Sequence, residues 1–536
     1  MLNALELENF KGIAARQRVD FAPLTLLFGA NSVGKSTIFQ ALLYLHELLE
    51  RGSADVDRTE LGGSALELGG FARLVHRHEL TRPIILRAEF STPGSLERFG
   101  RDLVGFPFPD LDDEFEGAWL ELTVRFRTAK TYQGPLLETV AIGVVGQNEA
   151  LVWLETGASL REGEPLNVRV NLGHPMVAEA ARDVADSWEQ IAVPEDARRR
   201  MLEAEGDGCG GGDAPAAGLG DGSAFGDGRS LPVFAVSRAR LSALPPSNEP
   251  LRVIPFGDES PAAAAIASQV RTFIEMCVLG TTTQLLATLR DAVYIGPLRT
   301  IPPRGFLYER PGRLASWGDG LAAWDLLLAD RGGLVSRTNT RLGWLGIDCR
   351  IVVQELFDQG ATAEDLTNGH VDKTVRRLLL DTRAGSLVLP SEVGAGISQV
   401  VPVVVAALGR TGLTLIEQPE IHVHPAVQVE LGDLFIVAAT TENTGIAGGR
   451  DTKMRTMLIE THSEHLMLRL LRRIRETAED ELPEDRTPFY SDKLSVLYFE
   501  SSPDGVRIHR LRVDENGEFQ DRWPKGFFAE RMQELL

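Results

Sequence analysis

Residues 29–37 read Gly-Ala-Asn-Ser-Val-Gly-Lys-Ser-Thr, a complete G-x-x-x-x-G-K-S phosphate loop. An apolar run at 24–28 precedes it, and apolar positions at helical spacing follow it over 38–48. Strand, glycine loop and helix in that order is the setting this motif requires, so a βα unit at the N-terminus is fixed before anything else is read. The chemistry dictates the residue types. Gly29 and Gly34 let backbone N–H groups turn inward around phosphate oxygens, and a helix beginning near Lys35 adds its positive end. Lys35 supplies a mobile ammonium for the β- and γ-phosphates, and the Ser36 hydroxyl completes the shell of a Mg²⁺ ion. Asn31 and Thr37 complete the expected nucleotide-contacting set. The motif implies a nucleoside triphosphate with Mg²⁺.

A chain of 536 residues has room for two to four ordinary domains and a large core. Its 43% hydrophobic and 24% charged residues are those of a globular protein. The longest strongly apolar stretch, 400–408, is broken by Pro402 and is far too short to cross a bilayer. The N-terminus lacks a basic region followed by an apolar one, so a cytoplasmic location without membrane contact is expected. Cys209, Cys277 and Cys349 are isolated, which argues against a disulfide framework or a zinc site. With 55 basic against 76 acidic residues the formal charge is −21, a field that repels nucleic acid on average. Nucleic acid would need a local basic patch. The clusters Arg198-Arg199-Arg200 and Arg469, Arg472, Arg473, Arg475 read better as solvated helix faces.

Alternation of Leu5 and Leu7 with Glu6 and Glu8 predicts a half-buried strand at 4–10. Runs at 84–90, 119–126, 140–145, 150–154 and 168–172 predict an antiparallel layer beside the nucleotide core. Residues 205–229 are glycine-rich and nearly coreless, which reads as a disordered linker. From 376 onward strand and helix alternate, through 378–382, 413–416 and 457–459, as in a mostly parallel α/β sheet. The expected fold class is thus α/β, with an antiparallel β layer and a helical insertion. The expected division is 1–175 for the first part of the nucleotide-binding unit and 176–292 for the insertion. Its second part then covers 293–480, and a small C-terminal domain covers 481–536.

The run 413–417 ends in Glu417 at a strand's carboxyl edge, where α/β ligands gather. The text that follows, Glu417-Gln418-Pro419-Glu420-Ile421-His422-Val423-His424-Pro425, resembles the Walker B segment and following loop of ABC-type ATPases of the SMC, RecF and OLD group. Upstream, Val393-Gly394-Ala395-Gly396-Ile397-Ser398-Gln399 resembles their signature segment. Downstream, Thr461-His462-Ser463 resembles the segment of the switch histidine. Asn9-Phe10-Lys11-Gly12 is similar to the opening of RecF-like and OLD-like ATPases. Tyr294-Ile295-Gly296-Pro297-Leu298-Arg299 is similar to a segment of one branch. The stretch 517–528 resembles the C-terminal domain of unknown function attached to bacterial AAA-family ATPases.

The resemblance implies a fold of the ABC-ATPase kind and an ATPase activity. It implies Mg²⁺ held by Ser36 and Glu417, and γ-phosphate contact by His462. Gly394, Gly396, Ser398 and Gln399 would reach across a head-to-tail homodimer to the partner's ATP. It further suggests a role in phage defence or DNA maintenance beside an effector protein. One position departs from the pattern. Where most ABC-type ATPases carry a water-activating glutamate, this chain has Gln418. An amide orients water without accepting its proton near neutral pH. Either Glu420 serves as base, with His462 able to share the task, or hydrolysis is slow and ATP acts mainly as a clamp. A modest ATPase with Glu420 as base is the expectation. The alternative is an OLD-type nuclease with its own metal site, which calls for an Asp-x-Asp pair that the residues after His462 lack.

Overall fold

The computed structural model describes residues 1–63, 65–91, 117–129, 132–157, 166–171, 174, 234–236, 242–245, 253–254, 274–304, 316–330, 333–356, 375–382, 385–409, 412–440 and 455–523. The chain opens with β1 (Leu2–Glu8), β2 (Gln17–Asp20) and β3 (Leu24–Gly29), then α1 (Thr37–Arg51) and α2 (Phe71–Leu74). Strands β4 (Ile84–Ser91), β5 (Gly117–Thr128), β6 (Gln133–Val144), β7 (Ala150–Glu155), β8 (Leu166–Val170), β9 (Phe234–Val236) and β10 (Val253–Ile254) follow. Next come α3 (Thr281–Arg290), β11 (Val293–Ile295), α4 (Leu321–Ala329), α5 (Leu334–Trp344), β12 (Cys349–Leu356), β13 (Val375–Thr382) and β14 (Leu387–Val388). The last part holds α6 (Ala395–Leu408), β15 (Leu413–Glu417), α7 (Pro425–Thr440), β16 (Thr456–Glu460), α8 (Glu464–Ala478), β17 (Leu494–Ser502) and β18 (Gly505–Leu511).

The central sheet has the order β11-β15-β16-β3-β17-β18, and every pairing in it is parallel except β17 with β18. Strand β3 is buried along its whole length. Leu24, Leu26 and Phe28 pack among α6, α7 and α8, whereas Leu27 joins the core around α1. Burial on both faces explains the unbroken apolar run that precedes the phosphate loop. A nine-stranded sheet, β10-β9-β8-β7-β6-β5-β4-β1-β2, shares the α1 core. It is antiparallel throughout, as the serial strand runs predict.

Several expectations are corrected. Residues 376–382 lie in β13, which pairs antiparallel with β12 and β14 in a separate small sheet. The stretch 176–292 is not purely helical, because β9 and β10 extend the antiparallel layer. Residues 494–511 form no independent unit: β17 pairs in parallel with β3, from Leu494 with Leu24 to Phe499 with Gly29. Trp523 seals that junction edge-on against Phe28, Tyr498 and Phe519. The basic cluster on α8 is only in part a solvated face: Arg472 and Arg475 are exposed. Arg473 is buried on Asp433, and Arg469 reaches Asp433 and Glu430 of α7. The linker at 205–229 and the cluster Arg198-Arg199-Arg200 lie outside the described residues.

Candidate nucleotide site

Parallel strands end on one edge, and ligands of α/β sheets collect there. Register makes the edge specific: Glu417 pairs with Glu460, and Glu460 with Leu27 of β3. The phosphate loop and two carboxylates are thereby brought together. Gly29 and Gly34 adopt φ values of 147° and 104°, and a Cβ on Gly29 would stand 2.6 Å from the Phe499 carbonyl oxygen. Only glycine fits that approach. Asn31 lies exposed on the loop and Thr37 starts α1 with its side chain buried.

Lys35 is buried, and its Nζ donates to the Gly29 and Ala30 carbonyls at 3.1 and 2.9 Å. Burial holds this ammonium below its ordinary range, against the pull of Glu460, Glu420 and Glu417. Ser36 Oγ donates to Glu460 Oε2 at 2.7 Å. Glu417 Oε1 accepts from the Tyr294 hydroxyl at 2.9 Å. Burial, reinforced by the neighbouring Glu460 charge, pushes Glu417 up to about 7. Burial also raises Glu420 and Glu460. A hydroxyl, a lysine and adjacent carboxylates fit Mg²⁺, which takes one or two protein carboxylates and draws its other ligands from phosphate and water.

The turn after β15 is held rigidly. Gln418 has a left-handed φ of 44°, and its N–H donates to the Glu460 carbonyl at 2.7 Å. Beneath it lies Arg299, whose Nη2 donates to the Glu417 carbonyl at 2.5 Å and to that of Gln418 at 3.4 Å. Burial lowers this guanidinium to about 10, with Glu420 and Glu417 opposing the shift. Glu420 spends one oxygen on the Thr461 hydroxyl at 2.8 Å and the other on the His462 N–H at 2.7 Å. It therefore fastens the His462 turn to the loop after β15. Burial, then the Lys35 charge, holds the His462 imidazole below its ordinary range.

The signature-like segment divides. Gly394 and Ala395 are exposed at the start of α6. Gly396 backs onto the next loop, since a Cβ there would meet the His422 carbonyl oxygen at 2.8 Å. Ser398 is 0% exposed and its Oγ has no hydrogen-bond partner among the described residues. Its burial corrects the expectation that it faces a partner's phosphate: only the first residues of the segment, at the open end of α6, remain exposed. Gln399 is likewise turned from solvent. Its Nε2 donates to the Arg299 carbonyl at 2.7 Å and its Oε1 accepts the Arg299 N–H at 3.3 Å. Tyr294, Arg299, Glu460 and Thr461 were not picked out as site residues by sequence reasoning. The one available signal was that 457–460, like 413–417, is an apolar run closing on glutamate.

Residues 1–74 match the family described as AAA ATPase domain. Residues 490–536 match a family described as a protein of unknown function, DUF3696. No curated protein matches the chain. Among solved structures, the chain is similar to an Smc head bound to the C-terminal winged-helix domain of ScpA. That match has 9% identity, 95% of this chain and 98% of that one covered, and a TM-score of 0.38. The SMC head domain from Thermotoga maritima matches at 8% identity, with coverage of 96% and 99% and a TM-score of 0.34. A Pyrococcus furiosus Smc head with an extended coiled coil, bound to the C-terminal domain of ScpA, matches at 9% identity, with coverage of 100% and 98% and a TM-score of 0.35. No helix among the described residues is long and apolar enough to cross a membrane.

Proposed function

We propose that the chain is a cytoplasmic ATP-dependent switch that binds Mg²⁺–ATP, closes head to tail with a second copy, and hydrolyses ATP slowly. The observation that carries this reading is the convergence of Lys35, Ser36, Glu417, Glu420 and His462 at one edge of the central sheet. Phosphoryl transfer is catalysed by positioning and charge neutralisation, and these residues supply both. Lys35 exchanges two loop carbonyls for phosphate oxygens. Ser36 and Glu417 hold Mg²⁺. His462 offers a hydrogen bond to the γ-phosphate, at a place fixed by Glu420. The carboxylate of Glu420 keeps lone pairs free beside its two bonds and takes the proton of the attacking water, in place of Gln418. The exposed amides of Gly394 and Ala395, at a helix start, are the groups offered to the partner's nucleotide. The family resemblance supports a setting in phage defence or DNA maintenance with an effector protein.

Sizing the protein with and without a slowly hydrolysed ATP analogue and Mg²⁺ tests the switch. The wild type should shift from monomer to dimer and Lys35→Ala should not. A wild type that stays monomeric with nucleotide bound removes the head-to-tail mechanism. Steady-state turnover tests the base: Glu420→Gln should lower it about 100-fold or more, and unchanged turnover removes that assignment.

A further inference from the structure

We propose that Glu460, on the strand next to the phosphate-loop strand, is a second Mg²⁺-anchoring carboxylate and the one that orients Ser36. The inference rests on the ATP-binding reading above. A serine hydroxyl that ligates a cation uses an oxygen lone pair, so its proton has to go to an acceptor on the other side. Ser36 gives that proton to Glu460 Oε2 at 2.7 Å. The other oxygen, Oε1, lies 3.9 Å from Lys35 Nζ. One carboxylate thus spans the two side chains that address the ion and the phosphates.

Glu417 is placed differently. Its Oε1 is taken by the Tyr294 hydroxyl. Strand β15 is separated from β3 by β16, so Glu417 starts two strand spacings from the phosphate loop's own strand and Glu460 only one. At about 4.8 Å per spacing, this puts Glu460 beside the loop's own strand, while the Ser36 hydroxyl also lies close enough to Glu417 to lower its carboxyl. The Glu460 backbone is fixed as well: it pairs with Leu27, and its carbonyl accepts the Gln418 N–H at 2.7 Å. The geometry therefore serves a cation shared by Ser36, Glu460 and Glu417, with phosphate and water completing its shell.

The test reads metal binding itself. Mn²⁺ is titrated onto the full-length protein saturated with a slowly hydrolysed ATP analogue, and free Mn²⁺ is followed by its electron paramagnetic resonance signal. Glu460→Gln keeps an oxygen to accept from Ser36 but removes the charge. It should weaken Mn²⁺ about 10- to 100-fold, the range found when a group that orients a metal ligand is removed. Mn²⁺ affinity within twofold of wild type overturns the inference. Should Glu460→Gln fail to fold by circular dichroism, Glu460→Asp is read the same way, because it retracts the carboxylate from Ser36 while keeping the charge. Nucleotide binding in EDTA separates the two levels. If Lys35→Ala binds nucleotide as tightly as wild type, the ATP-site reading falls and this inference with it. If Lys35→Ala is defective and Glu460→Gln holds Mn²⁺ normally, only the role of Glu460 falls.

Discussion

The antiparallel layer and the central sheet both bury glutamates, and they treat them in opposite ways. In the antiparallel layer every such acid meets arginine. Glu89 takes two hydrogen bonds from Arg18, at 2.6 and 2.7 Å. Glu138 receives Arg125 at 2.7 Å together with Arg127. Burial pushes Glu6 up, but Arg16, Arg87 and Arg18 outweigh it and hold the carboxyl below its ordinary range. At the edge of the central sheet, Glu417, Glu420 and Glu460 accept no arginine hydrogen bond among the described residues. Their bonds come from hydroxyls and a backbone N–H, and all three carboxyls are raised. The nearby Arg299 spends its donors on backbone carbonyls instead. Stable folds neutralise buried charge internally. The carboxylates at this sheet edge are thus left short of arginine countercharge, which is the feature the proposed Mg²⁺ site would use.

The contrast can be broken first at Arg299. Replacing it with Met strips the Glu417 and Gln418 carbonyls of their donor and removes the one guanidinium near the acids. Urea denaturation should show a loss of about 3 kcal/mol, and Arg299→Lys should recover less than half because it lacks the planar fork. A loss under about 1 kcal/mol would mean that the turn after β15 holds itself. The next test asks for opposite signs. In metal-free buffer at pH 8, Glu417→Gln should stabilise the nucleotide-free protein by about 1–2 kcal/mol, since it removes a poorly compensated buried charge while leaving an acceptor for Tyr294. Glu138→Gln should destabilise it by about 1 kcal/mol, since it leaves two arginines without their acid. Equal signs in paired thermal melts would erase the distinction between the sheets.

The same contrast explains what could be read from the sequence. The phosphate loop, β3 and the antiparallel strands were legible because backbone demands are local: glycines at fixed spacing, apolar runs, alternation. Glu417 was legible because the words around it are distinctive. Glu460 and Arg299 were not, because their roles come from strand order and register, which place residues far apart in sequence side by side. Ser398 and Gln399 misled for the complementary reason. The segment has the right composition, but Ser398 is buried and Gln399 is spent on the Arg299 backbone, contacts made by a segment about 100 residues upstream. Likewise, 494–511 reads as a separate C-terminal unit until its pairing with β3 is seen.

The smallest effect lies on the arginine-paired side, at Glu6, and pH exposes it. Its carboxyl, ordinarily at 4.5, is held lower in the folded protein. A depressed folded value means that the unfolded chain takes up the proton first. The Glu6 contribution is therefore complete above pH 4.5 and is lost as the pH falls through the folded value. Glu6→Gln should lower stability by a few tenths to about 1 kcal/mol at pH 7, as for a partly exposed ion pair. The gap between variant and wild type should narrow as the pH drops below 4.5. Salt should narrow it too, because Arg16 and Arg18 are partly open to solvent. A gap that stays constant from pH 7 to pH 3 would show that Glu6 acts through packing, and that its arginines add nothing to the sheet.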